Sequence, residues 1–196
     1  MSQKWVRYQL AGEVGFGLLQ QDQIECHSGD MYDNPTATGE RLALAQVQLL
    51  SPCQPTKIVA MWNNFHQLAA AQNLEHPEFP FYFIKPPSCG AAHGDEIIHP
   101  EGYDGRLIYE GELGVVIGKT CKNVGRDKIA DYVFGYTCIN DVTAIHLLFK
   151  YEAFPQWTRS KSFDSFGIIG PCISQLDDPD KLSVITRVNG EERQNY

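Results

Sequence analysis

The feature that most limits the fold is a succession of short apolar segments separated by polar or glycine-containing turns. Residues 1–55 contain WVRYQL, GFGLLQ and ALAQVQLL, and later parts of the chain contain LGVVIG, YVFGYTCI, GIIGPCI and SVITRV. Short segments rich in Val, Ile and aromatic residues are typical of β-strands. The sequence therefore predicts an α+β fold that is predominantly β.

Prolines 52 and 55 mark a boundary between two predicted units. Residues 1–55 form a small β-rich N-terminal unit, and residues 56–196 form the core. In the core, KIVAMW predicts a buried strand, NNFHQLAAAQN a short helix, and DVTAIHLLFKYEA a second helix with Asp141 or Thr143 near its start. Asn189-Gly190 predicts a hairpin. Since the chain ends inside the second arm of this hairpin, we expect the core to be incomplete at its C-terminal end.

Charge and composition exclude several classes of partner. The net charge is −8, from 24 acidic against 16 basic residues, and the basic residues form no cluster. This argues against nucleic acid. The sequence contains no apolar run long enough for a secretory signal or a membrane span, so we expect a cytoplasmic protein that binds no membrane. The six cysteines form no Cys-x-x-Cys pair, which favours reduced thiols over disulfides or zinc.

Glu110 and Glu112 stand two residues apart at the start of an apolar strand segment. Alternate residues of a strand share a face, so the two carboxylates point the same way with roughly 6–7 Å between their Cα atoms. In a partly buried position they repel each other, and either a proton or a cation relieves the repulsion. Carboxylate oxygens suit Mg²⁺, Mn²⁺ or Ca²⁺. The alternative interpretation is the solvated face of an edge strand.

Asp141 is a third acidic candidate. It follows the uncharged segment YVFGYTCI, so it lies at a strand end where a helix is predicted to begin. A site residue is common at such a position. The alternative is a helix N-cap that accepts hydrogen bonds from the first backbone N–H groups.

Several ordered motifs carry a family resemblance between about Lys57 and Tyr196: FYFIKPPSCGAAHGDEIIHP, YEGELGVVIGK, DYVFGYTCINDVTA and QWTRSKSFDSFGIIGPCI. This part of the chain resembles the fumarylacetoacetate hydrolase superfamily. The resemblance implies a mixed β-roll, or pseudo-barrel, and a homodimer. It also implies a divalent metal, usually Mg²⁺ or Mn²⁺, held by Glu110, Glu112 and Asp141.

The resemblance further implies a metal-dependent enzyme that acts on a small 2-oxo or 2-hydroxy-dienoic mono- or dicarboxylic acid. The reactions of such enzymes are hydrolysis, decarboxylation or isomerisation through a metal-bound enolate, in part in aromatic catabolism. Lys161, in the KSF motif, is implied to polarise the oxo group. Arg159 is expected either to bind a distal carboxylate of the substrate or to pair with Asp164. Lys85 is either a site cation beneath a lid or a structural residue satisfied by loop carbonyls.

The lid segment departs from the pattern of the hydrolases. Aligning Asn64-Phe65 with their Asn-Tyr puts Leu68 and Ala71 where a catalytic His and Glu stand, and neither can move a proton. Asn64 remains a candidate substrate-binding residue. His66 is a candidate replacement catalytic residue, although it lies about 200° around the helix from Leu68. The absence of this His and Glu favours decarboxylation, isomerisation or tautomerisation over hydrolysis. The alternative is a metal-containing protein that binds an oxo acid with little turnover.

Overall fold

The computed structural model describes residues 2–176 and 178–195. Residues 1 and 196, the outer bounds of the two predicted units, lie outside this range. The N-terminal part is an antiparallel meander of β1 (Lys4–Leu10), β2 (Glu13–Gln20), β3 (Gln23–Asp30) and β4 (Asp33–Ala43), followed by β5 (Gln48–Leu50). Ala11 and Gly12 join β1 to β2 with φ values of 50° and 91°. A two-residue turn with positive φ at both positions matches the twist of a hairpin.

The remainder of the chain contains eleven strands and three short helices within the described range. The strands are β6 (Ile58–Trp62), β7 (Phe81–Lys85), β8 (Gly90–Ala92), β9 (Leu107–Ile108), β10 (Gly111–Ile117), β11 (Val133–Asp141), β12 (Thr143–Ala144), β13 (Gly167–Ile169), β14 (Ile173–Ser174), β15 (Ile185–Val188) and β16 (Glu191–Asn195). The helices are α1 (His66–Ala71), α2 (Ile145–Leu148) and α3 (Trp157–Ser160). The predominantly β fold predicted from the sequence is confirmed.

One mixed sheet runs through both parts of the chain. Its order is β4-β3-β2-β1-β14-β11-β13-β8, with β10 paired to β11 and β5 paired to β1. β13 and β8 are parallel. The two parts meet where Trp5 of β1 pairs with Ile173 of β14, and both side chains belong to one buried apolar cluster. This sheet therefore joins strands from both sides of the predicted division at residue 55.

A two-stranded ribbon, β6–β7, lies beside this sheet. Trp62 and Phe83 of the ribbon contact the Trp157 ring of α3, with centroid distances of 6.1 and 5.7 Å. Thr158 of α3 donates a hydrogen bond to the Ile84 carbonyl, at 3.2 Å. These contacts fix the end of β7 next to the end of α3. In the described residues, no helix is long and apolar enough to cross a membrane.

The helix predicted for residues 141–153 is largely wrong. Asp141 ends β11, and Thr143 and Ala144 form a short strand that pairs with β9. Only Ile145–Leu148 is helical at this point, and its N-cap position is Ala144. The extended conformation prevails because Val142 and Thr143 are almost completely buried and the Val142 N–H bonds to the Phe166 carbonyl at 3.0 Å. GIIGPCI, which was predicted as a strand, instead contributes to two short strands, β13 and β14. The chain bends between them at Gly170, whose φ is 135°.

Candidate active site

Two neighbouring strands bring Glu110 and Asp141 together. β10 and β11 are antiparallel, and Gly111 pairs with Asn140. Glu110 directly precedes β10, and its carbonyl accepts a hydrogen bond of 2.9 Å from the Asp141 N–H. The Asn140 side chain accepts a bond of 3.2 Å from the Glu110 N–H. These hydrogen bonds fix the backbone positions of both acidic residues independently of the contacts that their carboxylates make.

Lys161 lies between these two carboxylates. Its ammonium donates to Oε2 of Glu110 at 2.6 Å and to Oδ2 of Asp141 at 2.8 Å. The residue is only 1% exposed, and its Nζ lies 5.7 Å from the centroid of the Phe83 ring. It follows directly after α3, and the contact between α3 and the ribbon directs it inward. A buried ammonium of this kind needs the negative charge of its partners.

Lys85 is a second buried cation of the same cluster, also 1% exposed. Its ammonium donates to Oδ1 of Asp141 at 2.6 Å and to the backbone carbonyls of Lys161 and Phe166. An ammonium has three donors, and three acceptors take them. Of the two interpretations of Lys85, a site cation or a structural residue satisfied by loop carbonyls, this geometry favours the second. It adds Asp141 as a partner that the sequence did not indicate.

Glu112 is the unpaired member of the cluster. It is half-buried, and no donor among the described residues forms a hydrogen bond or an ion pair with its carboxylate. Burial raises the pKa of Glu112, the charges of Glu110 and Asp141 raise it further, and Lys161 opposes them, with a resulting value of about 7. Three carboxylates against two ammonium groups leave one negative charge in excess when all are ionised. The position therefore favours a proton or an additional cation.

The donor chemistry of the cluster fits a hard divalent cation. The donors of Glu110, Glu112 and Asp141 are carboxylate oxygens, which Mg²⁺ and Mn²⁺ prefer, and Glu112 lacks a counter-charge. In the positions that the described side chains occupy, however, no group of three or more His, Cys, Asp or Glu is arranged to hold a metal ion. Instead, the Lys161 ammonium bridges two of the three carboxylates. A metal would therefore have to share or take over these oxygens.

Three other predicted site residues lie outside this cluster. His66 begins α1, is exposed, and stacks on His76, with 3.4 Å between Nδ1 and Nε2. Asn64 and Arg159 are also exposed. Within the described part of the chain, none of the three bonds to a carboxylate or ammonium of the cluster, and Arg159 forms no ion pair with Asp164.

The structure adds one residue that the sequence analysis missed. Thr143 is fully buried, and its hydroxyl donates to Oε1 of Glu110 at 3.4 Å. It lies two residues after Asp141, so a continued strand would have placed both on one face. Because a helix was predicted here, the sequence did not indicate that Asp141 and Thr143 share one face.

The C-terminal hairpin, β15–β16, packs against the backbone between the two glutamates. The Gly111 N–H donates to Oε1 of Gln194 at 2.8 Å. A cavity of about 290 Å³ lies between this hairpin and β10–β11, and Glu112, Asn140 and Thr186 line part of it. A larger cavity of about 510 Å³ lies beside Trp5, but no member of the cluster lines it. Glu112 is therefore the member of the charged cluster that lines the smaller cavity.

Comparison with known proteins agrees with this organisation. The family model described as fumarylacetoacetate (FAA) hydrolase C-terminal matches residues 57–196. The model described as Rv2993c-like, N-terminal, matches residues 3–52. Among solved structures, 5-carboxymethyl-2-hydroxymuconate delta-isomerase from Mycobacterium smegmatis superposes with a TM-score of 0.88 and 31% identity, covering 98% of this chain and 75% of that protein.

Two curated relatives extend the comparison. An uncharacterized protein of Archaeoglobus fulgidus is 46% identical over 153 residues, covering 78% of this chain and 60% of the relative. Oxaloacetate tautomerase YisK of Bacillus subtilis is 37% identical over 160 residues, covering 78% of this chain and 52% of the relative. The chain thus spans between half and two thirds of the length of these relatives. The matched family model, the fold and these relatives together establish that the chain belongs to the fumarylacetoacetate hydrolase family.

Proposed function

We propose that this chain carries the active site of a divalent-metal-dependent enzyme that moves a proton between carbon and oxygen of a small 2-oxo acid, as in keto–enol tautomerisation or double-bond isomerisation. The observation that carries the proposal is the partly buried cluster of three carboxylates, two of which bond to the buried Lys161. Enolisation places negative charge on the 2-oxo oxygen. A preorganised cation in a buried site lowers the energy of that charge.

Glu110, Glu112 and Asp141 would hold the metal. When bound, it would supply Lewis acidity and a template for the carboxylate and oxo oxygens of the substrate. Lys161 would donate a hydrogen bond to the oxo oxygen as it gains charge. Lys85 would keep Asp141 oriented without touching the substrate, because its donors are already used. In the direction from enol to ketone, the O–H bond of the enol breaks and its proton passes to solvent. A C–H bond forms at carbon 3 with a proton taken from solvent, so the reaction balances without a further reactant.

The lid favours proton relocation over hydrolysis. Leu68 and Ala71 of α1 have no group that can activate a water molecule, whereas tautomerisation and isomerisation consume no water. The names of two relatives, an oxaloacetate tautomerase and a hydroxymuconate delta-isomerase, agree with this choice. We therefore propose oxaloacetate and 2-hydroxy-dienoic dicarboxylic acids as the first substrates to examine, and a homodimer as the assembly.

The test is the decay of enol oxaloacetate, followed by its ultraviolet absorbance, with Mg²⁺ or Mn²⁺ and with a chelated control. We expect metal-dependent acceleration that Glu112→Gln reduces by about 100-fold or more. Glu101→Gln, at an exposed glutamate outside the cluster, is the matched control and should retain full activity. Full activity of Glu112→Gln, or acceleration that a chelator leaves unchanged, would contradict the proposal.

Parallel assays separate the related reactions. Release of CO₂ without enol turnover would assign a decarboxylase, and saturable binding without any turnover would assign an oxo-acid-binding protein. The double variant Leu68→His with Ala71→Glu tests the lid. A large gain in acylpyruvate hydrolysis by that variant would identify a lapsed hydrolase, and we expect no such gain.

A further inference from the structure

We propose that the Lys161 ammonium and a divalent cation compete for the same two carboxylate oxygens, so that metal binding releases Lys161 toward the substrate. The inference rests on the proposed metal-dependent function, because it concerns the same cluster. In this proposal the Lys161 ammonium neutralises Glu110 and Asp141 until a metal ion takes its position.

The partners of each carboxylate oxygen support this assignment. Oδ1 of Asp141 accepts from Lys85, and Oε1 of Glu110 accepts from Thr143. The remaining oxygens of the two residues, Oδ2 of Asp141 and Oε2 of Glu110, both accept from Lys161. They are therefore the oxygens that a metal would take, together with the unpaired carboxylate of Glu112. A divalent cation bound to both oxygens would repel the nearby ammonium, which favours its displacement over sharing.

The two lysines differ in how firmly they are held. Lys85 bonds to one carboxylate and two backbone carbonyls. If it moved, the Lys161 carbonyl would lose its donor, whereas the Phe166 carbonyl would keep the Val142 N–H. Lys161 forms side-chain hydrogen bonds only to the two carboxylates, as far as the described residues are concerned, and faces the Phe83 ring on another side. Its displacement therefore breaks only contacts that the metal itself replaces. Lys161 moves and Lys85 stays.

Release of Lys161 couples metal binding to substrate positioning. While the ammonium bridges Glu110 and Asp141, two of its three donors are used. Once the Lys161 ammonium is displaced, its donors can bond to an oxygen of a 2-oxo acid that is bound beside the metal. The competition therefore predicts an order of binding, with the metal first and the oxo acid second.

The first test compares Lys161→Met with Lys85→Met, each of which removes one buried ammonium bonded to Asp141. Mn²⁺ affinity is measured by isothermal titration calorimetry on the chelator-treated protein. We expect Lys161→Met to bind Mn²⁺ roughly tenfold more tightly or better, because a competing cation is gone, and Lys85→Met to bind it more weakly, because Asp141 loses its orientation. Equal tightening in both variants would show a general charge effect and overturn the proposal. Unchanged or weaker binding by Lys161→Met would also overturn it.

The second test uses the wild-type protein and does not depend on whether the variants fold. Nitrogen-15 NMR of the two buried lysine ammonium groups is recorded during Mg²⁺ titration. We expect the Lys161 signal to shift and the Lys85 signal to stay, whereas a bound metal with an unmoved Lys161 signal would overturn this inference alone. If calorimetry finds no Mn²⁺ binding to the wild type, the proposed metal-dependent function fails with it.

Discussion

Glu112 has the most unusual environment of the charged residues in the cluster. Glu110 and Asp141 each have a lysine partner, whereas Glu112 has neither an ion pair nor a hydrogen bond among the described residues. The sequence predicted that Glu110 and Glu112 share one face, because strand periodicity determines this. It could not predict which carboxylate remains unpaired, because this depends on Lys85 and Lys161, which come from distant segments.

The free energy of unfolding should depend on pH through Glu112. Its pKa is raised from 4.5 to about 7, so the folded state binds the proton more tightly than the unfolded state. The stability that this group contributes is fully present below about pH 4.5 and is lost as pH rises to about 7. In chelator-treated protein, Glu112→Gln should therefore become progressively more stable than the wild type over this range.

The measurement is urea denaturation at several pH values, with and without Mg²⁺. Because a ligand that binds only the folded state stabilises it, added Mg²⁺ should raise the stability of the wild type more than that of Glu112→Gln. A constant difference between the two proteins from pH 4.5 to pH 7 would contradict the assigned pKa.

For the secondary-structure elements, local sequence predicts most strands but few of the contacts between them. The Asn189-Gly190 turn correctly predicted the hairpin β15–β16, and the apolar segment LGVVIG correctly predicted β10. The extended segment at residues 142–144 was missed because its conformation depends on pairing with Leu107 and Ile108 and on a bond to Phe166, all distant in sequence. The same error hid Thr143. Lys85 and Lys161 are distant in sequence, and the packing of α3 on the ribbon β6–β7 brings their segments together.

A substitution at Gly111 tests the contact between β10 and the C-terminal hairpin. A Cβ added there would lie 1.9 Å from Oγ1 of Thr186, so Gly111→Ala should push the hairpin away from the backbone of Gly111. We expect it to lower the melting temperature and weaken Mn²⁺ binding. Without that hydroxyl the nearest atom is Cβ of Thr186 at 3.3 Å.

Thr186→Ala is therefore the matched second change. The double variant Gly111→Ala with Thr186→Ala should recover most of the lost melting temperature and metal affinity, as measured by calorimetry. A double variant as unstable as Gly111→Ala alone would exclude this clash as the cause.

For the whole molecule, the continuous sheet predicts that both parts of the chain unfold together. Ile173 is fully buried at the junction with Trp5, and Ile173→Ala should cost about 2–5 kcal/mol. Tryptophan fluorescence and far-ultraviolet circular dichroism should report one shared denaturation transition, shifted equally by the substitution. Two separated transitions would mean that residues 1–55 fold as an independent unit. Sequence composition could not decide this, because Pro52 and Pro55 indicate a linker whether or not the flanking strands join.

The pairing of β1 with β14 also has a consequence for synthesis on the ribosome. Lys4 and Trp5 are synthesised about 170 residues before their partners Ser174 and Ile173. At usual translation rates of about 5–20 residues per second, this delay is on the order of 10 seconds. During that time one end of the β1 edge has unpaired backbone groups, which are open to pairing with other chains. Chaperones are thus expected to protect the nascent chain at β1 until β14 has been made.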